Sequence, residues 1–150
     1  MEVLKGPEKQ LRILMAVYTG IYSAFGLALL VYPRGIIRLI NWITDSVGVH
    51  PPLAFDRYPF WSMVSASLLF TLALICFLAF RDVENTQLVW IMIFAKYVSS
   101  LCLVLYLAFS GGHPPGFGLG AIVDAFLGTL ALVFVVRAER ERDASSATAS

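Results

Sequence analysis

The sequence predicts an all-α integral membrane protein: a four-transmembrane-helix bundle with a short interfacial helix in the first outer loop. Three observations lead there. Hydrophobic residues make up 59% of the 150 positions, and the mean hydropathy is +0.78. Charged residues make up only 14%, where a water-soluble domain carries about 25%. The apolar residues are gathered into four runs, each near the ~20 residues that a helix needs to cross a hydrocarbon core about 30 Å thick.

The first run is Ile13 to Tyr32, the second Phe60 to Phe80, the third Leu88 to Phe109 and the fourth Phe117 to Val136. A bilayer interior offers the backbone no water, so each run must satisfy its own N–H and C=O groups as a helix. The short alternating strands of a barrel are absent. Pro33 closes the first run because it cannot continue a hydrogen-bond ladder. Pro59 precedes the second at a position that suits a first helical turn. Arg81-Asp82 ends the second, and Gly111-Gly112-His113-Pro114-Pro115-Gly116 separates the third from the fourth. Tyr32, Trp42, Tyr58, Phe60, Trp61, Trp90, Tyr106 and Phe109 gather at the edges, as headgroup-level aromatics do. The first run is too long for a signal peptide's apolar region and lacks a cleavage motif, so it is expected to be retained.

Residues 1–143 thus form a single transmembrane domain, and 144–150 (ASSATAS) read as a disordered tail without apolar content. The stretch RAERERD before it continues the fourth helix into water. In the first outer loop, Ile36, Ile40, Ile43 and Val47 recur at helical spacing. That pattern fits a helix lying in the interface, or equally a helical cap over the bundle.

Lys5, Lys9, Arg12, Arg81, Arg137, Arg140 and Arg142 fall on one side of the spans, and Arg34, Arg38 and Arg57 on the other. This bias puts both termini in the cytoplasm of a cell (inner) membrane. The net charge of +1 gives no field for nucleic acid.

Helices in lipid pack through small residues. Ala16, Gly20, Ala24 and Ala28 form one such stripe on the first span, and Gly120 and Gly128 another on the fourth, with Ala95, Ser99 and Ser100 on the third.

Two ionisable residues lie within the spans, Lys96 and Asp124. Alone, each costs roughly 2.5–3.5 kcal/mol to insert. Lys96 lies about 12 Å from Leu88 and Asp124 about 18 Å from Val136, at 1.5 Å per residue. A lysine side chain covers the difference, and a short loop makes the third and fourth spans neighbours. An ion pair is therefore expected. It is either a clasp that fixes helix register or a ligand-binding or proton-linked centre. Tyr18, Tyr22 and Tyr97 could add hydroxyls to it, and Ser100 shares a face with Lys96.

The two histidines sit in matching contexts, His50-Pro51-Pro52 and His113-Pro114-Pro115, each before an even-numbered span. The chain could thus be two helical hairpins. The histidines are weak metal candidates with no third ligand in view. Cys76 and Cys102 form no CxxC pair, which excludes a disulfide framework and a zinc knuckle. No span carries histidine for a bis-histidine haem, and neither HExxH nor GxSxG occurs. No cofactor is implied, and the chain is expected not to be an enzyme.

The layout resembles the small four-helix bacterial membrane proteins typified by the DoxX-like families. The shared features are the long first outer loop, the short charged turn Arg81-Asp82-Val83-Glu84 and the acidic Asp124 in the last span. Some members of such families are accessory to quinone-linked respiratory enzymes. The resemblance implies a non-catalytic accessory or structural subunit that meets other membrane subunits or itself. The intramembrane charges raise the alternative of a small carrier, or a binder of a lipophilic, quinone-like or proton-coupled ligand.

Overall fold

A computed structural model describes residues 6–46, 48, 60–109 and 115–147. Over these residues all regular structure is α-helix: α1 (Gly6–Val31), α2 (Pro33–Ser46), α3 (Phe60–Arg81), α4 (Thr86–Phe109) and α5 (Pro115–Ala147). Four of them, α1, α3, α4 and α5, are long and apolar enough to cross a membrane.

Three of the spanning helices, α1, α4 and α5, begin earlier than their apolar runs, and α3 begins with its run at Phe60. Pro7 and Glu8 sit in the first turn of α1, where a missing N–H is harmless and a negative charge meets the helix dipole. The α1 ladder ends when the Tyr32 N–H donates to the Ala28 carbonyl (2.8 Å), and the Tyr32 carbonyl then accepts from Gly35 (3.0 Å) to start α2. The reversal is tight enough that a Cβ on residue 35 would run into the exposed Tyr32 ring, which would have to swing away. On α2, Ile36, Ile37, Ile40 and Asn41 are half-buried and Thr44 is buried, against α1 and α5. Ile43 stays exposed beside Leu39 and Trp42, so the buried face is turned away from the isoleucine repeat at its end. Val47 lies outside the described residues. The helix is thus packed on the bundle and still shows an apolar outer face.

Past the fourth span the helix does not stop at 143. It runs to Ala147, and only 148–150 of the expected tail fall outside the described residues. Extending an existing helix needs no new nucleus, and the hydroxyls of Ser145 and Ser146 bond back to the carbonyls of Glu141 (2.7 Å) and Asp143 (2.8 Å).

α1 packs chiefly on α3, and α4 on α5, with lesser α1–α5 and α3–α4 contacts closing the ring. The two tight pairs are the two hairpins that the sequence suggests. His50 and His113 lie outside the described residues.

The core is concentrated toward the end that carries both termini. There α1 presents Leu11, Met15, Tyr18 and Tyr22. Ala73, Cys76 and Ala79 of α3 and Ala131, Val135 and Ala138 of α5 face them, with Val89, Met92 and Ile93 of α4. Large residues on one helix thus fill the space that small ones leave on its neighbours. The Ala16–Gly20–Ala24–Ala28 stripe is not part of this. Ala16, Gly20 and Ala24 face outward, and a Cβ on Gly20 would meet nothing within 4 Å. Size complementarity decided the inward face of α1: its long side chains, not its small ones, match the alanines opposite. Toward the far end, buried positions on the four long helices thin out, among the described residues, to Gly26, Ala66 and Ala121.

Candidate functional site

The Lys96 ammonium donates to Asp124 Oδ1 at 2.7 Å. The two side chains are 6% and 16% exposed, so the pair lies inside the bundle. Lys96 is about 15 Å along α4 from Thr86 and about 20 Å from Phe109, at 1.5 Å per residue. That depth is near the middle of a bilayer, where each charge most needs the other.

Gly128 makes the pairing possible. A Cβ there would lie 3.3 Å from Lys96 Cβ and 3.8 Å from the Ile93 carbonyl. Without one, α5 comes close enough to α4 for a short aspartate to reach across. One turn and more toward the far end, the Ser100 hydroxyl donates to the Ala121 carbonyl (2.9 Å), a second stitch between the same helices. Ser100 therefore belongs to the α4–α5 seam and makes no bond to the ion pair.

The tyrosines divide. The Tyr22 ring lies under the ammonium, with Nζ 4.6 Å from its centroid. Such a cation–π contact adds to the stabilisation of the charge where water is excluded. Tyr18 packs against Tyr22 at 5.7 Å between ring centroids, and its hydroxyl donates to the Leu127 carbonyl at 2.8 Å, tying α1 to α5. The Tyr22 hydroxyl is buried and, among the described residues, has no hydrogen-bond partner. Cys76 of α3 is fully buried in the same core cluster as Tyr22. Tyr97 departs from expectation. It faces outward, and its hydroxyl bonds Thr129 Oγ1 at 3.0 Å. Since the Thr129 proton goes to the Ala125 carbonyl, Tyr97 is the donor. The centre is therefore Tyr22, Lys96 and Asp124, braced by Tyr18 and Gly128.

A second polar cluster was not foreseen. At the end that carries the termini, the Arg142 guanidinium bonds Glu8 Oε1 through Nε (3.2 Å) and an Nη (3.0 Å). Its other Nη donates to the Glu84 carbonyl at 3.0 Å. One side chain of α5 thus holds the start of α1 and the α3–α4 turn. Nearby, the Arg12 guanidinium lies 5.1 Å from the Phe80 ring centroid, and Trp90 donates to Glu139 at 3.0 Å. Among the described residues, no group of three or more His, Cys, Asp or Glu is placed to hold a metal.

The chain matches no family model, no curated protein and no solved structure. The structure supports four long apolar helices with a short helix after the first, but the DoxX-like resemblance gains no support from these comparisons and no family is assigned. The molecule is a small polytopic membrane protein in contact with the bilayer.

Proposed function

We propose that the protein is a non-catalytic accessory or structural subunit of a membrane complex, with both termini in the cytoplasm of the inner membrane. The carrying observation is the outward stripe of Ala16, Gly20 and Ala24 on α1. Small residues at four-residue spacing allow another transmembrane helix close backbone approach, and the bundle itself leaves these unused. The DoxX-like layout points the same way. Under this reading Lys96–Asp124 is a register clasp that keeps the α4–α5 hairpin rigid.

The test is the size of the species extracted from its native membrane in mild detergent, wild type against Gly20→Leu. A Cβ there meets nothing within 4 Å and the position is exposed, so the fold is expected to stand. Wild type should run as a larger assembly and Gly20→Leu as the free chain. Equal sizes for the two would sink the proposal. Sidedness is read separately, by impermeant labelling of Ser146→Cys and Ser110→Cys in a background lacking Cys76 and Cys102. Ser110→Cys should label in intact cells and Ser146→Cys should not.

One observation favours a second reading, a small carrier or lipophile-binding protein working at the intramembrane charges. The buried Tyr22 hydroxyl without a partner leaves a hydrogen bond for a quinone-like or proton-carrying ligand beside the ion pair. Copurification of such a molecule, lost in Tyr22→Phe while the assembly stays intact, would select this reading.

A further inference from the structure

The sequence leaves two readings of α2, a helix lying in the membrane interface or a cap over the bundle. The order of its side chains around the axis separates them. At 3.6 residues per turn, with Arg34 as zero, Asp45 falls at about 20°, Arg38 at about 40°, Trp42 at about 80°, Leu39 at about 140° and Ile43 at about 180°. Ile40, Thr44 and Ile37 follow between about 240° and 300°, and this last sector is the one packed on α1 and α5. Arg34, Arg38 and Asp45 are exposed, and so are Leu39 (46%), Trp42 (67%) and Ile43 (37%). The exposed Tyr32 ring sits over Gly35, which lies at about 100°, between Trp42 and Leu39.

α2 therefore has four sides, in the order charged, aromatic, aliphatic and bundle-facing. The charged and aliphatic sides oppose each other, and each lies about a quarter turn from the bundle. A cap on top of the bundle would turn the side opposite its contact to water. Here that side holds Trp42 and the Tyr32 ring, with Leu39 and Ile43 uncovered beside them. A helix seated beside the bundle at a membrane surface instead meets water, headgroups, hydrocarbon and protein in turn. Tyrosine and tryptophan favour headgroup level, and the apolar face of an in-plane helix sinks into the acyl boundary. The line Arg34–Arg38–Asp45 runs most of the length of α2, so neither end can dip into hydrocarbon without carrying a charge there. The helix also begins where a span, α1, ends.

We propose that α2 is an in-plane lipid-binding helix, seated beside the bundle in the leaflet farther from the termini. Leu39 and Ile43 lie among the acyl chains, Tyr32 and Trp42 at headgroup level, and Arg34 and Arg38 in water. The order of the sides selects lipid as the occupant: a partner protein would cover the aliphatic side without requiring rings and then charges to follow it. The seat needs no particular headgroup charge, because Asp45 shares the polar side with the two arginines.

The test uses the full chain in phosphatidylcholine bilayers. One nitroxide at a time is introduced through Arg34→Cys, Arg38→Cys, Leu39→Cys or Ile43→Cys, in a background lacking Cys76 and Cys102. Collisions are read with oxygen, which concentrates in hydrocarbon, and with a neutral nickel chelate, which stays in water. Oxygen should prevail several-fold at Leu39 and Ile43, and the chelate at Arg34 and Arg38. Equal behaviour at the four positions, or low access of both reagents at Leu39 and Ile43 because a second copy of the chain covers them, would overturn the proposal. A second measurement leaves α2 unaltered. With Trp61→Phe and Trp90→Phe, Trp42 is the remaining tryptophan. Phosphatidylcholine brominated near the headgroup end of its acyl chains should quench it more strongly than lipid brominated at the chain ends. No quenching by either lipid, or stronger quenching by the deeper bromines, would equally overturn the seat.

Discussion

Lys96–Asp124 and Arg142–Glu8 are both ion pairs at hydrogen-bond distance, 2.7 and 3.0 Å. Their surroundings differ. The first joins the middles of α4 and α5, with side chains 6% and 16% exposed, and is backed by an aromatic ring and a glycine. The second joins helix ends, with the arginine 36% exposed. In the first pair neither charge has water to fall back on, so each holds the other in place. In the second, either group can be solvated when its partner is lost. The bond lengths hardly differ; the alternatives to the bond do.

The largest effect is expected from splitting the buried pair. Asp124→Leu or Lys96→Met leaves one uncompensated charge in low dielectric, a loss of about 3–5 kcal/mol by comparison with buried pairs in soluble proteins. Folded yield in detergent should fall sharply for either. The double variant should recover most of it, because two apolar residues need no desolvation. Two harmless single variants would mean that the charges are solvated independently and that the contrast with the edge pair is wrong.

Next comes Gly128→Leu. The new side chain must displace Lys96 Cβ, 3.3 Å from the nearest possible Cβ, and pry α5 from α4. Overpacking of this kind costs about 1–3 kcal/mol. Gly20→Leu, pointing outward, should stay within about 0.5 kcal/mol of wild type. Equal thermal stabilities for the two leucine variants would show that the helices do not approach closely at residue 128.

These two glycines also show what the sequence could and could not reveal. Spans were legible because a bilayer imposes length and apolarity on any crossing segment. The ion pair was legible because charge within an apolar run is rare, and a fixed helical rise turns residue number into depth. Gly128 reads as part of a small-residue packing stripe, and it does sit at a close approach of α5 to α4. Gly20 had the same credentials and faces outward. Which side of α1 turns inward depends on α3 and α5, whose alanines leave room for Leu11, Met15 and Tyr22. That is a property of three helices together. The Arg142–Glu8 contact was hidden for another reason: charges are common at helix ends, so none of them stands out as paired.

A finer test compares the two stacked tyrosines. Tyr18→Phe loses the bond to the Leu127 carbonyl, worth about 0.5–1.5 kcal/mol. Tyr22→Phe removes a buried hydroxyl that has no partner and keeps the ring beneath Lys96. Its unfolding midpoint should equal or exceed that of wild type. A clear loss would mean that a water or ligand occupies the hydroxyl, which favours the working centre over the clasp.

The smallest effect is expected at the membrane edge. Arg142→Gln removes the ion pair to Glu8 and weakens the hold on the Glu84 carbonyl, but water replaces both. Partly exposed pairs contribute about 0–1 kcal/mol. Ionic strength separates the two regions more sharply than magnitude does. The Debye length falls from about 30 Å at 0.01 M to about 3 Å at 1 M salt. Mobile ions reach the helix ends but not the hydrocarbon core. The stability gap between wild type and Arg142→Gln should therefore shrink as salt rises, while the gap for Asp124→Leu stays constant. Measured by chemical unfolding in detergent at several salt concentrations, two gaps that shrink together would place Lys96–Asp124 in contact with water, and the distinction between the two pairs would be one of degree.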